Sequence, residues 1–187
     1  MAALIYTSLC SLDGFTADAH GSFEFAMPDE EVHRFANELE RSVGTHLYGR
    51  RMYEVMTWWE ATNDFSDMPG FVQEYAAVWQ AADKIVYSRT LTEPAGPRTR
   101  IERRFDVPTI RELKAASARD ISVSGPTLAS HALRAGLVDE VQLLVFPFIL
   151  GGGLHMFPEA VQSTLELTDE RRFDSGVVYL GYRVRRT

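Results

Sequence analysis

Residues 121–153, ISVSGPTLASHALRAGLVDEVQLLVFPFILGGG, constrain the fold more than any other stretch of the chain. They read as strand, tight glycine turn, helix, strand and glycine cluster. Ile121 and Val123 mark a short strand, and Ser124-Gly125-Pro126-Thr127 make a turn that feeds a helix. Pro126 suits a first helical position, where its missing N–H costs nothing. Leu128, Ala129, Ala132 and Leu133 recur at helical spacing, and Gly136 is placed to stop the helix. The run 141–150, VQLLVFPFIL, reads as a buried strand, with Pro147 predicting a bulge or an edge near its end. A strand–glycine–helix turn aims backbone N–H groups and a positive helix end at one spot, which favours an anion, typically a phosphate. Most such turns only connect elements, so the phosphate reading needs company elsewhere in the chain.

A chain of 187 residues is long enough for one domain with a sizeable core. No repeat, low-complexity segment or linker divides it, and residues 1–187 are expected to form a single domain. The net charge of −7 argues against nonspecific nucleic-acid binding and against an anionic membrane surface. One cysteine, Cys10, allows neither an intrachain disulfide nor a multi-cysteine zinc site, and no metal is expected. There is no apolar run long enough to span a bilayer and no charged segment leading into an apolar one at the N-terminus, so a soluble, cytoplasmic protein is expected.

Taken in order, AALIYTSLC (2–10) is strand-like, and Asp13-Gly14 and His20-Gly21 are turn signals. Residues 13–28 read as a long loop carrying Phe15, Phe23 and Phe25. A helix starts near Pro28-Asp29, with Val32, Phe35, Ala36, Leu39 and Val43 at helical spacing and Gly44 as its stop. THLYG (45–49) is a short strand, RRMYEVM (50–56) a second helix, and Pro69-Gly70 opens a third with Phe71, Tyr75, Val78, Trp79 and Ala82 on one face. KIVYS (84–88) is a strand, 99–105 an edge strand, and Pro108 starts a helix with Ile110 and Leu113 inward. Residues 166–172 and 177–184 form a closing hairpin around Asp174-Ser175-Gly176. Strands that alternate with helices and end in a hairpin imply a three-layer α/β/α domain with a mostly parallel central sheet and an antiparallel C-terminal hairpin.

Three strand ends carry groups suited to one ligand. THLYG runs into Gly49-Arg50-Arg51, KIVYS into Ser88-Arg89-Thr90, and ISVSG into Gly125-Pro126-Thr127. Open α/β sheets bind ligands at the carboxyl ends of their strands. An arginine fork suits a phosphate because it can bond two oxygens. Any one of these arginines alone reads as a solvated surface charge. Their occurrence together at three strand ends points to an anionic ligand.

SLDGF after the first strand, YGRRMYE (48–54), IVYSRT (85–90), ISVSGPTLAS (121–130) and GLVDEVQLLVFPFILGGG (136–153) resemble the dihydrofolate reductase-like family. The branch they resemble includes the reductase domain of the bifunctional riboflavin-biosynthesis deaminase-reductase. The resemblance covers essentially the whole chain, and its specificity lies in the order and separation of the motifs. It implies an NADPH-dependent oxidoreductase. Gly49, Arg50 and Arg51 would approach the adenosine phosphates, and Ser88 and Arg89 would sit at the adenosine side, with Arg89 or Arg50 on the 2′-phosphate. Gly125, Pro126, Thr127 and Leu128 would cradle the pyrophosphate. The backbone of Ser8 and Leu9, with Gly14 and Phe15, would flank the nicotinamide. Gly152, in the GGG cluster, either admits the nicotinamide closely or simply helps turn the chain. Arginines rather than an acid on the adenosine side favour NADP over NAD. The same resemblance places a proton-supplying carboxylate near the start of the first helix, at Glu31, beside Asp29 and Glu30; helix capping is the competing role for these acids. Asp13 is the other candidate acid, and a plain Asp-Gly turn is its competing role. A homodimer through the late strands is expected by similarity.

The chain departs from the riboflavin enzyme in two respects. Residues 1–187 hold no deaminase or zinc signature, and the lysines flanking SLDG in that enzyme are replaced by a neighbourhood holding Tyr6 and Phe15. It departs from dihydrofolate reductase in carrying Met27-Pro28-Asp29 where that enzyme has a proline-tryptophan. The aromatics Phe15, Phe23, Phe25, Trp58, Trp59 and Phe157, with His155, together suggest a flatter, less charged substrate, pterin-like or otherwise heteroaromatic, although each aromatic alone reads as core before ligand contact and His155 alone as a structural or surface histidine. The rival functions are a noncatalytic nucleotide- or ligand-binding protein on the same fold and a plain dimerisation module.

Overall fold

The computed structural model describes residues 1–61 and 63–185. Ten strands and five α-helices follow one another as β1 (Leu4–Ser11), β2 (Phe15–Ala17), α1 (Glu30–Glu40), β3 (Val43–Gly49), α2 (Arg50–Met56), α3 (Gly70–Ala81), β4 (Asp83–Tyr87), β5 (Thr99–Glu102), α4 (Val107–Ala116), β6 (Asp120–Ser124), α5 (Pro126–Arg134), β7 (Glu140–Phe146), β8 (Leu154–His155), β9 (Thr164–Arg172) and β10 (Val178–Arg185). Eight strands make one sheet in the order β5-β4-β3-β6-β1-β7-β10-β9, and β2 pairs with β8 in a separate ribbon. From β5 through β7 the pairing is parallel. β10 is antiparallel to both β7 and β9. The expected three-layer α/β/α architecture with an antiparallel C-terminal hairpin is the one observed.

Alternation along the strands builds the layers, because successive side chains point to opposite faces. Leu47, Ile85, Ile121 and Val123 pack with Ile110 of α4 and Leu128, Ala129 and Ala132 of α5. On the other face, Tyr48 and Val86 pack with Tyr53 and Met56 of α2 and Trp79 of α3. Beside them Leu144, Phe146 and Tyr179 pack with Val32 of α1. Each fully buried side chain of this size contributes roughly 1.5–3 kcal/mol by leaving water. No described helix is long and apolar enough to cross a membrane.

The helix stops obey local chemistry. α5 ends with Gly136 at φ +61°, while the N–H of Gly136 bonds the Leu133 carbonyl and that of Leu137 bonds the Ala132 carbonyl, each at 3.0 Å. This paired closure consumes carbonyls that the helix end leaves open. Gly44 does not play that part. α1 ends at Glu40, and Val43 and Gly44 already belong to β3. Gly44 is required for a different reason: a Cβ there would sit 2.8 Å from Cβ of Arg119. Three other expectations change. The loop 13–28 contains β2 and a short 3-10 turn at Glu24–Ala26. The edge strand over 99–105 is only β5, Thr99–Glu102, and Phe105 leaves the strand to pack against Tyr87 with ring centroids 5.3 Å apart. The run 141–150 leaves the sheet at Pro147, so Phe148 and Ile149 are 48% and 72% exposed.

Candidate active site

The sheet order puts the carboxyl ends of β4, β3, β6 and β1 side by side. Two contacts join the β3 end to the β6 end. A Cβ on Gly49 would touch Cβ of Leu128 at 3.9 Å, and one on Gly125 would crowd Cβ of Met52 at 3.3 Å. The first turns of α2 and α5 therefore lie against each other. Gly125 holds φ +88°, a conformation that side chains other than glycine rarely adopt, and it begins α5 with no side-chain cap. Pro126 occupies the first turn, Leu128 is buried, and Thr127 is exposed. The N-terminal N–H groups of α5 are left facing the sheet's carboxyl edge.

Arg50 joins the β3 end to the β4 end. Its Nη1 donates to Thr90 Oγ1 at 2.7 Å, and its Nε donates to Glu54 at 2.7 Å. Ser88 is buried, and its hydroxyl oxygen accepts the N–H groups of Thr90 and Leu91 at 3.2 and 2.9 Å. Its hydroxyl shapes the turn that presents Arg89. Arg103, which sequence reasoning passed over, clamps the same turn by donating to the carbonyls of Ser88 at 2.9 Å and Leu91 at 2.7 Å. Its only sequence signal was the Arg103-Arg104 pair after an edge strand. Arg51 and Arg89 are exposed and have no hydrogen-bond or ion-pair partner among the described residues. A cleft of about 460 Å³ opens beside this turn, lined by Tyr87, Ile101, Glu102, Arg103, Arg104, Asp106 and Thr109.

At the β1 end, Ser8 is buried and its hydroxyl donates to the Leu9 carbonyl at 3.3 Å, while Leu9 packs into the α1-side core. Gly14 turns the chain at φ +86°. Its carbonyl accepts the N–H of Met156 at 3.0 Å, and the Phe15 ring lies 4.3 Å from that of His155. The segment after β1 is thus stitched to residues 150–156. Tyr6 extends the stitching from inside the sheet, its hydroxyl donating to the Met156 carbonyl at 2.6 Å.

Asp13 is part of the same stitching. Its carboxylate accepts the Ser11 hydroxyl at 2.6 Å and the N–H groups of Leu150 and Gly151 at 3.0 and 2.7 Å. The Ser11 hydroxyl first, then the Leu150 and Gly151 amides, hold the Asp13 carboxyl down at about 2, so near neutrality it has no proton to give. Glu31 faces the hairpin: it accepts from Arg171 at 3.0 Å, and both side chains are partly exposed. Asp29 is the helix cap, accepting the N–H of Val32 at 2.9 Å.

The glycine cluster divides by position. Gly151 and Gly153 have positive φ values of 77° and 134°, and a Cβ on Gly153 would collide with the carbonyl oxygen of Ala17. That close approach is to the chain's own β2. Gly152 has open space where a Cβ would project. A second cleft, of about 280 Å³, opens at the β7 end on the α1 side and is lined by Phe25, Met27, Asp29, Phe146, Pro147, Phe148, Ser175 and Val177.

A pyridine dinucleotide finds matching groups along this edge. Gly125 keeps the backbone bare beside Met52, the start of α5 offers N–H groups, and two guanidinium groups without a partner among the described residues flank the β3 and β4 ends.

The uncharacterized protein YyaP of Bacillus subtilis is 28% identical over 176 residues, covering 92% of this chain and 89% of its own. A Shewanella protein proposed to act in riboflavin biosynthesis superposes with a TM-score of 0.75 at 21% identity, over 98% of this chain and 99% of that one. RibD of Acinetobacter baumannii superposes with a TM-score of 0.70 at 20% identity, over 99% of this chain but 58% of the RibD chain. The RibD C-terminal domain matches residues 2–179. With a match of that extent, the chain belongs to the RibD C-terminal domain family, the reductase domain of RibD.

Proposed function

We propose that the protein is an NADPH-dependent reductase of a small heteroaromatic substrate, pterin-like or similar. The observation that carries this reading is the joined edge of β4, β3 and β6, where Arg51 and Arg89 stand unpartnered beside the bare turn at Gly125. Arg50 holds the β3 and β4 ends in register through Thr90, and Arg103 fixes the turn bearing Arg89. Arg89, with Arg51 or Arg50, takes the 2′-phosphate, which favours NADPH over NADH. The pyrophosphate lies at the N-terminus of α5 against Gly49 and Gly125. The backbone of Ser8 and Leu9, with Gly14 and Phe15, flanks the nicotinamide. NADPH supplies the hydride, and the chain supplies placement and exclusion of water. The proton comes from solvent, since Asp13 stays ionised in its three hydrogen bonds and Glu31 is turned to Arg171. We further infer a cytoplasmic homodimer.

Following NADPH oxidation by absorbance over a panel of pterins, quinones and ribityl-pyrimidines tests the catalytic part. Turnover with a heteroaromatic member is expected. Tight NADPH binding with no turnover on any of them would assign the protein to ligand binding instead.

A further inference from the structure

We propose that Tyr53 and Glu60 are positioning residues that mould residues 89–98 onto α2, so that Arg89 meets the 2′-phosphate and NADPH is preferred over NADH. The inference rests on the reductase reading and names what sets the cofactor preference of that site. α2 reaches this segment at two points. Arg50 donates to Thr90 Oγ1 at 2.7 Å, and the hydroxyl of Tyr53 accepts the N–H of Ala95 at 2.9 Å. Residues three apart are neighbours on a helix, so one rigid element grips the segment early and late. The same helix meets the start of α5, where a Cβ on Gly125 would crowd Cβ of Met52 at 3.3 Å. α2 thus holds the Arg89 segment in a set relation to the proposed pyrophosphate seat.

The segment needs such anchors. Residues 92–95 are exposed and bury little apolar surface of their own. Ser88 and Arg103 secure the first turn, and the backbone N–H of Lys84 secures the far end by donating to the Arg98 carbonyl at 2.8 Å. Between them, Pro94 and Pro97 carry no N–H, so anchoring falls to Ala95 and Gly96. Tyr53 takes the Ala95 amide. At Gly96 the anchor is steric, because a Cβ there would collide with the Glu60 carboxylate. Tyr53 and Glu60 are both buried, and Oε1 of Glu60 has no hydrogen-bond partner among the described residues. A buried polar atom left unpaired costs stability, so the carboxylate is a poor stabiliser of the fold. What it supplies is a floor under Gly96. A segment ordered in advance spares the ligand the entropy of ordering it. That saving goes to a ligand that uses Arg89. NADPH does so through its 2′-phosphate, and NADH has no such group.

The test is calorimetry of NADPH and NADH on the full chain, with Tyr53→Phe and Glu60→Ala beside the parent. Tyr53→Phe removes one hydroxyl and keeps the packed ring, which guards against a variant that fails to fold. Each variant is expected to weaken NADPH roughly 3- to 10-fold, the range of one lost hydrogen bond, while NADH changes less than about twofold. Gly96→Ala alone should also weaken NADPH. Added to Glu60→Ala it puts a methyl where the carboxylate stood, and part of the NADPH affinity should return. A purely structural role would lower the melting temperature and weaken both dinucleotides together. That outcome, or an unchanged NADPH-to-NADH ratio in both variants of a parent that prefers NADPH, overturns this proposal alone. A parent chain that binds neither dinucleotide overturns the reductase reading and this proposal with it.

Discussion

Arg50 donates to Thr90 Oγ1 at 2.7 Å and thereby ties the end of β3 to the end of β4. Arg89, one residue before Thr90, is held beside that bond with its own guanidinium free among the described residues. The double variant Arg50→Ala, Arg89→Ala removes both the tie and a charge proposed to bind the 2′-phosphate. A hydrogen bond to a charged group contributes about 1.5–3 kcal/mol. NADPH affinity should therefore fall roughly 10- to 100-fold, and NADH affinity much less. Calorimetric titration with the two dinucleotides measures the difference.

Asp13 fastens two loops by accepting the Leu150 and Gly151 amides. Its carboxyl is held down at about 2, against an ordinary value of 3.8. A depressed carboxyl contributes its share above its unfolded value and loses it as pH falls through the folded one. Protection of the two amides from hydrogen exchange should then persist at mildly acidic pH and fade only near pH ~2. Asp13→Ala should remove that protection at every pH, with Asp13→Asn intermediate.

Gly152 and Gly153 separate two roles of the glycine cluster. Gly153→Ala drives a methyl into the Ala17 carbonyl from a φ of 134°, and urea unfolding should register a loss of roughly 1–3 kcal/mol. Gly152→Ala projects into open space and should stay within about 0.5 kcal/mol of the parent. If Gly152→Ala nevertheless weakens NADPH binding, the cofactor approaches the backbone there.

A pair made of the buried His46 and the half-buried Glu40 is expected to shape the pH dependence of stability. Glu40 Oε2 lies 3.8 Å from Nδ1 of His46, and neither that oxygen nor either ring nitrogen has a hydrogen-bond partner among the described residues. Burial pushes the Glu40 carboxyl up to about 7. Burial, with Lys84 and Arg119 nearby, holds the His46 imidazole down at about 3. The imidazole is therefore neutral near neutrality and the contact is not an ion pair, despite its short distance. Because the folded Glu40 value is raised, its share of stability is full below about 4.5 and is lost as pH rises through about 7. Glu40→Gln cannot ionise. Relative to the parent it should gain up to about 3 kcal/mol at pH ~8 and little at pH ~5, read by urea unfolding at the two pH values.

Much of the fold was legible because its signals are local. Pro126, the Leu128-to-Leu133 spacing and Gly136 each act within one helix, and α5 runs from Pro126 to Arg134 as they imply. The stop at Gly44 misled because its reason is tertiary: Arg119, 75 residues away, leaves no room for a Cβ. Pro147 did mark the end of β7, but Phe148 and Ile149 look like strand residues until their exposure is known. At the candidate site, Gly49, Arg50, Ser88 and Gly125 could be grouped from strand ends alone. Arg103 could not, since its role is to bond main-chain carbonyls in another loop, 15 and 12 residues earlier. Position in the sequence favours Glu31 over Asp29, but a helix turn places neighbouring acids on different faces. The structure puts Asp29 in a cleft and Glu31 on Arg171.

Calorimetric titration of the unaltered chain with NADPH, and then with NADH, tests the central claim most directly. Saturable binding of NADPH, with NADH at least tenfold weaker, is the predicted result. No binding of either dinucleotide would contradict the account.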